Sequence, residues 1–166
     1  MNTGSIQNQN TRKRKYVVFL LEKDTYSVPI SEIKEIIAHV YVTPLPNSSP
    51  FITGLLNLRG QIITIFNLRR KFGMPKRDPN PMKDSIIISQ IGELTVGFTV
   101  DEVTAVEGIS GEDIGLPTAI DESKSKEYVT GVVKNDRDSG LTLILDLPKV
   151  LGKEEYANIQ NSQQVS

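Results

Sequence analysis

The apolar residues of this chain come in short runs that turn-forming residues interrupt at regular intervals, and that punctuation limits the fold more than any single motif does. The runs are Tyr16 to Leu21, Tyr26 to Ile30, Val40 to Val42, Gly54 to Leu58, Ile62 to Phe66, Ser85 to Ile91, Leu94 to Val100, Val103 to Val106, Tyr128 to Lys134 and Leu141 to Leu145. Each has the length of a strand, so the pattern predicts about ten strands. The breaks carry turn chemistry: Glu22-Lys23-Asp24, Arg59-Gly60, Gly92-Glu93 and the polar stretch from Asn135 to Gly140. Hairpins should therefore dominate the topology. Isoleucine, valine and threonine abound, whereas Ala38, Ala105, Ala119 and Ala157 are the only alanines, a bias towards pleated, half-buried surfaces. The expected fold class is all-β.

Three segments read as short helices. They are Ser31 to Ala38, Asn67 to Phe72 with Gly73 as its stop, and Asp146 to Leu151 with Gly152 as its stop. Asp146 suits an N-cap, and Pro148 fits a first turn, where a missing N–H costs nothing. Residues 1–14 and 153–166 are polar and read as tails, leaving 15–152 as the folded region. No internal repeat marks a boundary within it.

A chain of 166 residues buries enough surface to fold without staples. With no cysteine, disulfides and thiolate metal sites are excluded, and a reducing cytoplasm is the expected compartment. No run approaches the roughly 20 apolar residues of a membrane helix, and Met1 to Asn10 is polar where a signal peptide is apolar. The net charge of -1 provides no global field for nucleic acid or membrane.

The catalytic inventory is thin. His39 is the only histidine and has no motif partner for a triad or a zinc site. Gly108-Ile109-Ser110-Gly111 is one residue short of a nucleophile elbow and reads as a turn, with Ser110 and Asp113 at cap spacing. Asp101 and Glu102 are adjacent at a strand end, so they point apart and do not converge on one reacting atom. Asp136-x-Asp138-x-Gly140 lacks the spacing of a calcium loop and reads as a hairpin turn. No cofactor or metal is expected. The basic run Arg12 to Lys15 reads as part of a solvated tail; the alternative is a small-barrel nucleic-acid binder using that tail.

The specific signal lies in Gly54-Leu55-Leu56-Asn57-Leu58-Arg59-Gly60, followed by the apolar strand Gln61 to Phe66 and then Asn67-Leu68-Arg69. Along the first of these strands Leu56 and Leu58 share one face, and Leu55, Asn57 and Arg59 the other. The stretch resembles the signature of the CheW family, a G-x-x-N-L-R-G turn, an apolar strand and then D-L-R. Further matches run from Tyr16 to Leu151: Tyr26 to Ile30, Ile33-Lys34-Glu35-Ile36, Val96 to Asp101, Tyr128 to Gly131 and Leu143 to Asp146. Thr64 and Asn67 depart from the family's usual Pro and Asp. The resemblance implies two SH3-like five-stranded β-barrels packed side by side, with a few short helices. It further implies a non-catalytic adaptor of bacterial chemotaxis. One partner would be the hairpin tip of a chemoreceptor, received in a groove between the barrels, and the other the regulatory domain of the CheA histidine kinase. It places partner binding at Ile33, Glu35, Ile36, Asn57 and Arg59, and the protein in the cytoplasm at receptor arrays, with no nucleic acid and no membrane insertion of its own.

Overall fold

The computed structural model describes residues 13–46, 48–119, 126–135 and 140–164. Its strands are β1 (Lys13–Leu21), β2 (Asp24–Pro29), β3 (Ile33–Ala38), β4 (Ile52–Leu58), β5 (Gln61–Asn67), β6 (Ser85–Ile91), β7 (Leu94–Val100), β8 (Glu102–Ser110), β9 (Val129–Lys134) and β10 (Leu141–Leu145). Helix α1 (Leu68–Lys71) follows β5, and α2 (Leu147–Gln164) follows β10. The strands form two five-stranded sheets, ordered β8-β1-β2-β10-β9 and β3-β6-β7-β5-β4. These are the two SH3-like barrels that the resemblance implied. The second is an insertion: the chain leaves the first barrel after β2, builds the whole of the second from β3 to β7, and returns at β8.

Each barrel closes where the segment past one edge strand meets the other edge. In the second barrel Thr43 bridges Leu55 of β4, with N···O distances of 2.9 and 2.8 Å. In the first, Gly115 bridges Val132 of β9 at 2.7 and 3.1 Å. A glycine precedes the bridged residue in both. A Cβ on Gly54 would lie 2.7 Å from the Thr43 carbonyl carbon, and closer still to its oxygen. One on Gly131 would strike Ile114 Cγ2.

That coincidence exposes a repeat which the sequence reading missed. Phe51-Ile52-Thr53-Gly54-Leu55-Leu56 matches Tyr128-Val129-Thr130-Gly131-Val132-Val133, and Asn67-Leu68 through Phe72-Gly73 matches Asp146-Leu147 through Leu151-Gly152. Likewise Ser31-Glu32-Ile33 matches Asp101-Glu102-Val103. The sheets agree: each has one parallel pair, β2 with β10 and β5 with β7, at the same place in its order. Strands β1 to β5 thus repeat as β6 to β10, but every barrel takes two strands from one half and three from the other.

The core has the same plan. One large cluster is shared by both barrels and contains matched pairs such as Leu68 and Leu147, Phe66 and Leu145, and Phe72 and Leu151, all buried. Each barrel also keeps a private cluster: Ile63, Ile65, Ile86 and Ile88 in the second, and Tyr16, Ile109 and Ile144 in the first.

Several expectations need correction. Ile33 to Ala38 is a strand, not a helix; a register irregularity between Ile33 and Glu35 spoils its period of two. Val40 to Val42 forms no strand, because the chain there crosses the barrel end and pairs only at Thr43. The expected C-terminal tail is helical through Gln164 and buries Ile159 completely. Most of the expected N-terminal tail lies outside the described residues, but Lys13 and Arg14 belong to β1. The two other helices start as expected. Asn67 Oδ1 accepts from Arg70 N at 3.0 Å, and Asp146 Oδ1 from Lys149 N at 3.1 Å.

Candidate partner-binding site

Strands β4 and β5 meet in the two-residue turn Arg59-Gly60, with φ of 51° and 85°. Positive φ at both central residues matches the right-handed twist of a hairpin, and it suits glycine but not arginine. Asn57 steadies the turn: its Oδ1 accepts from Gly60 N at 3.1 Å. Asn57 is therefore a brace for the turn as well as an exposed residue. Leu56 and Leu58 pack into the private core of the second barrel, so alternation along β4 leaves Asn57 and Arg59 outside, as the sequence implied.

The Arg59 side chain, 69% exposed, donates through Nη2 to Glu35 Oε2 on β3. The pair spans the seam between β3 and β4, the two edge strands that the Thr43–Leu55 bridge joins. Hydrogen bonding to Glu35, more than the through-space attraction, raises the already high pKa of Arg59, so the guanidinium stays charged. Because the pair is exposed and screened by salt, it contributes little to folding and mainly fixes a direction for Arg59.

The structure thus gathers Glu35, Asn57 and Arg59 into one site. The isoleucines separate. Ile33 is half-buried against the shared core, which makes it a packing residue. Ile36 faces away from the private core of the second barrel, opposite Ile87, and is 39% exposed. The sequence reading missed Ile62, the cross-strand neighbour of Asn57, which is 49% exposed. Its position inside the apolar run from Ile62 to Phe66 had disguised it as core. Its place next to the turn is the signal that could have found it.

The other motif residues serve the fold. Asp101, in the link between β7 and β8, accepts from Arg69 Nη1 at 2.7 Å, Arg77 Nη2 at 2.9 Å and Glu22 N at 2.8 Å. Arg69 also pairs with Glu22 and donates to Pro75 O at 2.6 Å, while Arg77 pairs with Asp84. This cluster ties the β1–β2 turn of the first barrel to the second. Beside it is a cleft of about 330 Å³ lined by His39, Tyr41, Thr53, Arg77 and Thr99 among others. His39 donates its backbone N–H to Asp84 O at 3.0 Å. Ser110 caps no helix through its side chain, although a single turn comes directly after it. The basic run does not form a tail: Lys13, Arg14 and Lys15 open β1 and pair with β8, while Arg12 lies outside the described residues. Among the described residues no cluster of three or more His, Asp or Glu stands close enough to hold a metal ion, and no helix is long and apolar enough to cross a membrane.

Two interlocked five-stranded barrels, one inserted in the other, define the structural class of the chain. Comparison with known proteins gives the family. The CheW-like domain model matches residues 15–155. The chain is 30% identical over 150 residues to the chemotaxis protein CheW of Klebsiella aerogenes, covering 89% of this chain and 87% of that one. It is 32% identical over 133 residues to CheW of Thermotoga maritima, covering 80% and 84%. The crystal structure of the scaffolding protein TtCheW from Thermoanaerobacter tengcongensis is similar with a TM-score of 0.76 and 30% identity, covering 86% of this chain and 90% of that one. The chain belongs to the CheW-like family of chemotaxis adaptors.

Proposed function

We propose that this chain couples the cytoplasmic tip of chemoreceptors to the regulatory domain of the CheA histidine kinase, working in the cytoplasm at receptor arrays and performing no chemistry itself. The observation that carries the reading is the Glu35–Arg59 pair on a turn braced by Asn57. An arginine held at positive φ, 69% exposed, does nothing for the core, and a fixed guanidinium fork makes directed, charge-assisted hydrogen bonds to a partner. Ile36 and Ile62 supply exposed apolar area on the strands that carry the site. Holding two partners together raises their effective concentration and changes kinase output with no reaction of the adaptor's own.

The test is reconstitution of receptor tip, kinase and adaptor, with kinase output and binding both measured. Arg59→Ala is expected to leave Tm nearly unchanged and to weaken binding of at least one partner by about tenfold or more. Glu35→Arg is expected to impair assembly by placing like charges together, and Glu35→Arg combined with Arg59→Glu to recover part of the loss. Strictly additive losses would refute the pairing; wild-type binding by both single variants would remove these residues from the site. Kinase control that is the same without the adaptor would refute the coupling role.

A further inference from the structure

The repeat places two hairpin turns in equivalent positions, β1–β2 in the first barrel and β6–β7 in the second. Each has a left-handed residue, Glu22 with φ of 54° and Gly92 with φ of 60°. Each is gripped from outside its own hairpin. At the first, Asp101 accepts from Glu22 N and Arg69 pairs with both residues. At the second, the Tyr156 hydroxyl accepts from Glu93 N at 3.2 Å, and the ring lies so close over Gly92 that a Cβ there would be 2.7 Å from the hydroxyl oxygen. The first clasp is ionic and made by residues within the repeat. The second is made by a segment that has no counterpart in the first half, because α1 ends before Gly73 whereas α2 resumes beyond Gly152.

That resumed segment is set off from the rest of the helix by a break. Gly152 breaks the helix with φ of 74° and ψ of 165°, and nothing lies within 4 Å of where its Cβ would be. The part of α2 that roots the helix in the first barrel, with Leu147, Val150 and Leu151 in the shared core, precedes the break. Beyond it, Ile159 is fully buried as an apolar anchor. Glu155 is 8% exposed and has one oxygen, Oε1, accepting from Ser49 Oγ at 2.8 Å, while Oε2 has no partner. A carboxylate buried with half its acceptors unmet opposes closure, so the segment is held by Ile159 and Tyr156 and weakened by Glu155.

We propose that residues 153–164 are a detachable strap, hinged at Gly152, that fastens the first barrel to the β6–β7 turn of the second and so fixes the angle between the barrels. The strap contributes no strand. Every ladder of both barrels is complete before it begins, so lifting it leaves the barrels folded.

Hydrogen exchange read by mass spectrometry on the full chain tests this. In Ile159→Asp, amides of 154–164, of 49–52 and of 92–94 are expected to exchange about tenfold faster or more, with the strands of both barrels keeping their protection. Loss of protection throughout the barrels would make the helix part of the cooperative core and overturn the proposal, as would an unchanged 154–164. Tyr156→Phe, which removes only the acceptor for Glu93 N, is a milder second variant that should accelerate 92–94 and the strap alone. Because the chain has no cysteine, spin labels on Val106→Cys and Lys34→Cys report the distance between barrels. Ile159→Asp should broaden that distribution, and an unchanged width would show that the strap does not set the angle.

Discussion

Replacing three glycines by alanine separates three physical causes. At Gly54 the obstacle is backbone: the added Cβ falls 2.7 Å from the Thr43 carbonyl carbon and 3.0 Å from Pro44 Cα. The 43–44 segment must retreat, and both Thr43–Leu55 hydrogen bonds that close the second barrel stretch or break. Overpacking costs about 1–3 kcal/mol. Two strained hydrogen bonds add about 0.5–1.5 kcal/mol each. The expected loss is therefore about 2–6 kcal/mol, or on the order of 10 °C in Tm for a chain of this size. At Gly131 the obstacle is the Ile114 Cγ2 methyl, which a rotamer change can move, while the backbone oxygen of Gly115 stays at 3.4 Å; about 1–3 kcal/mol is expected. At Gly60 nothing lies within 4 Å, and only φ of +85° opposes a side chain, so about 1 kcal/mol is expected. Urea unfolding at fixed pH gives the three values from the midpoint and m. An order other than Gly54 above Gly131 above Gly60, or a Gly54→Ala loss below about 1 kcal/mol, would refute the account of how the barrels close.

Asn67→Ala removes the cap on α1 and should cost about 1 kcal/mol, whereas Asn67→Asp should be neutral or stabilising, by urea midpoint. Asp101→Asn leaves Arg69 and Arg77 with weaker partners at a partly buried position and should cost about 2–3 kcal/mol, against near zero for Glu102→Gln next to it. Burial, aided by Asp146, raises the Glu32 pKa above 4.5, so the folded state holds this proton to higher pH than the unfolded chain. The neutral carboxyl's contribution is full below 4.5 and is lost as pH rises through the folded pKa, so Glu32→Gln should stabilise more at pH 7 than at pH 4, and equal effects at the two would count against it.

The range over which each signal acts decides which features the sequence disclosed and which it hid. Strand runs and two-residue turns are local, and nine of the ten strands fall on the apolar runs read from the sequence. β3 did not, because the irregularity after Ile33 gives Ile33 and Ile36 a helix-like spacing within a strand. α2 was read as ending at Leu151 because the residues beyond Gly152 are mostly polar; what holds them is long-range, the burial of Ile159 and the contacts of Glu155 with Ser49 and of Tyr156 with Glu93. The Glu35–Arg59 contact was legible only through family resemblance, since the residues belong to different strands and no periodicity relates them. The turn that presents Arg59 was local and legible; the brace from Asn57 and the exposure of Ile62 were not, as both depend on how the hairpin is placed in the barrel.

The repeat stayed hidden for a reason that also bears on how the protein works. The connection between β8 and β9 is longer than that between β3 and β4, and the β9–β10 turn is longer than the β4–β5 turn, so the two halves drift out of phase along the sequence. The two sheets keep matching strand orders despite those differences in length. Because each barrel draws strands from both halves, neither half completes a barrel, and the first barrel is split in the chain by the whole of the second. The shared core runs through both, so local loosening of one barrel is resisted by the packing of the other. For an adaptor that resistance matters: a scaffold holds what it binds in a fixed relation only if its own body is stiff. Matched strands leave the halves nearly equivalent inside. The differences fall outside, at the short β4–β5 turn with Arg59 and at the helix beyond Gly152.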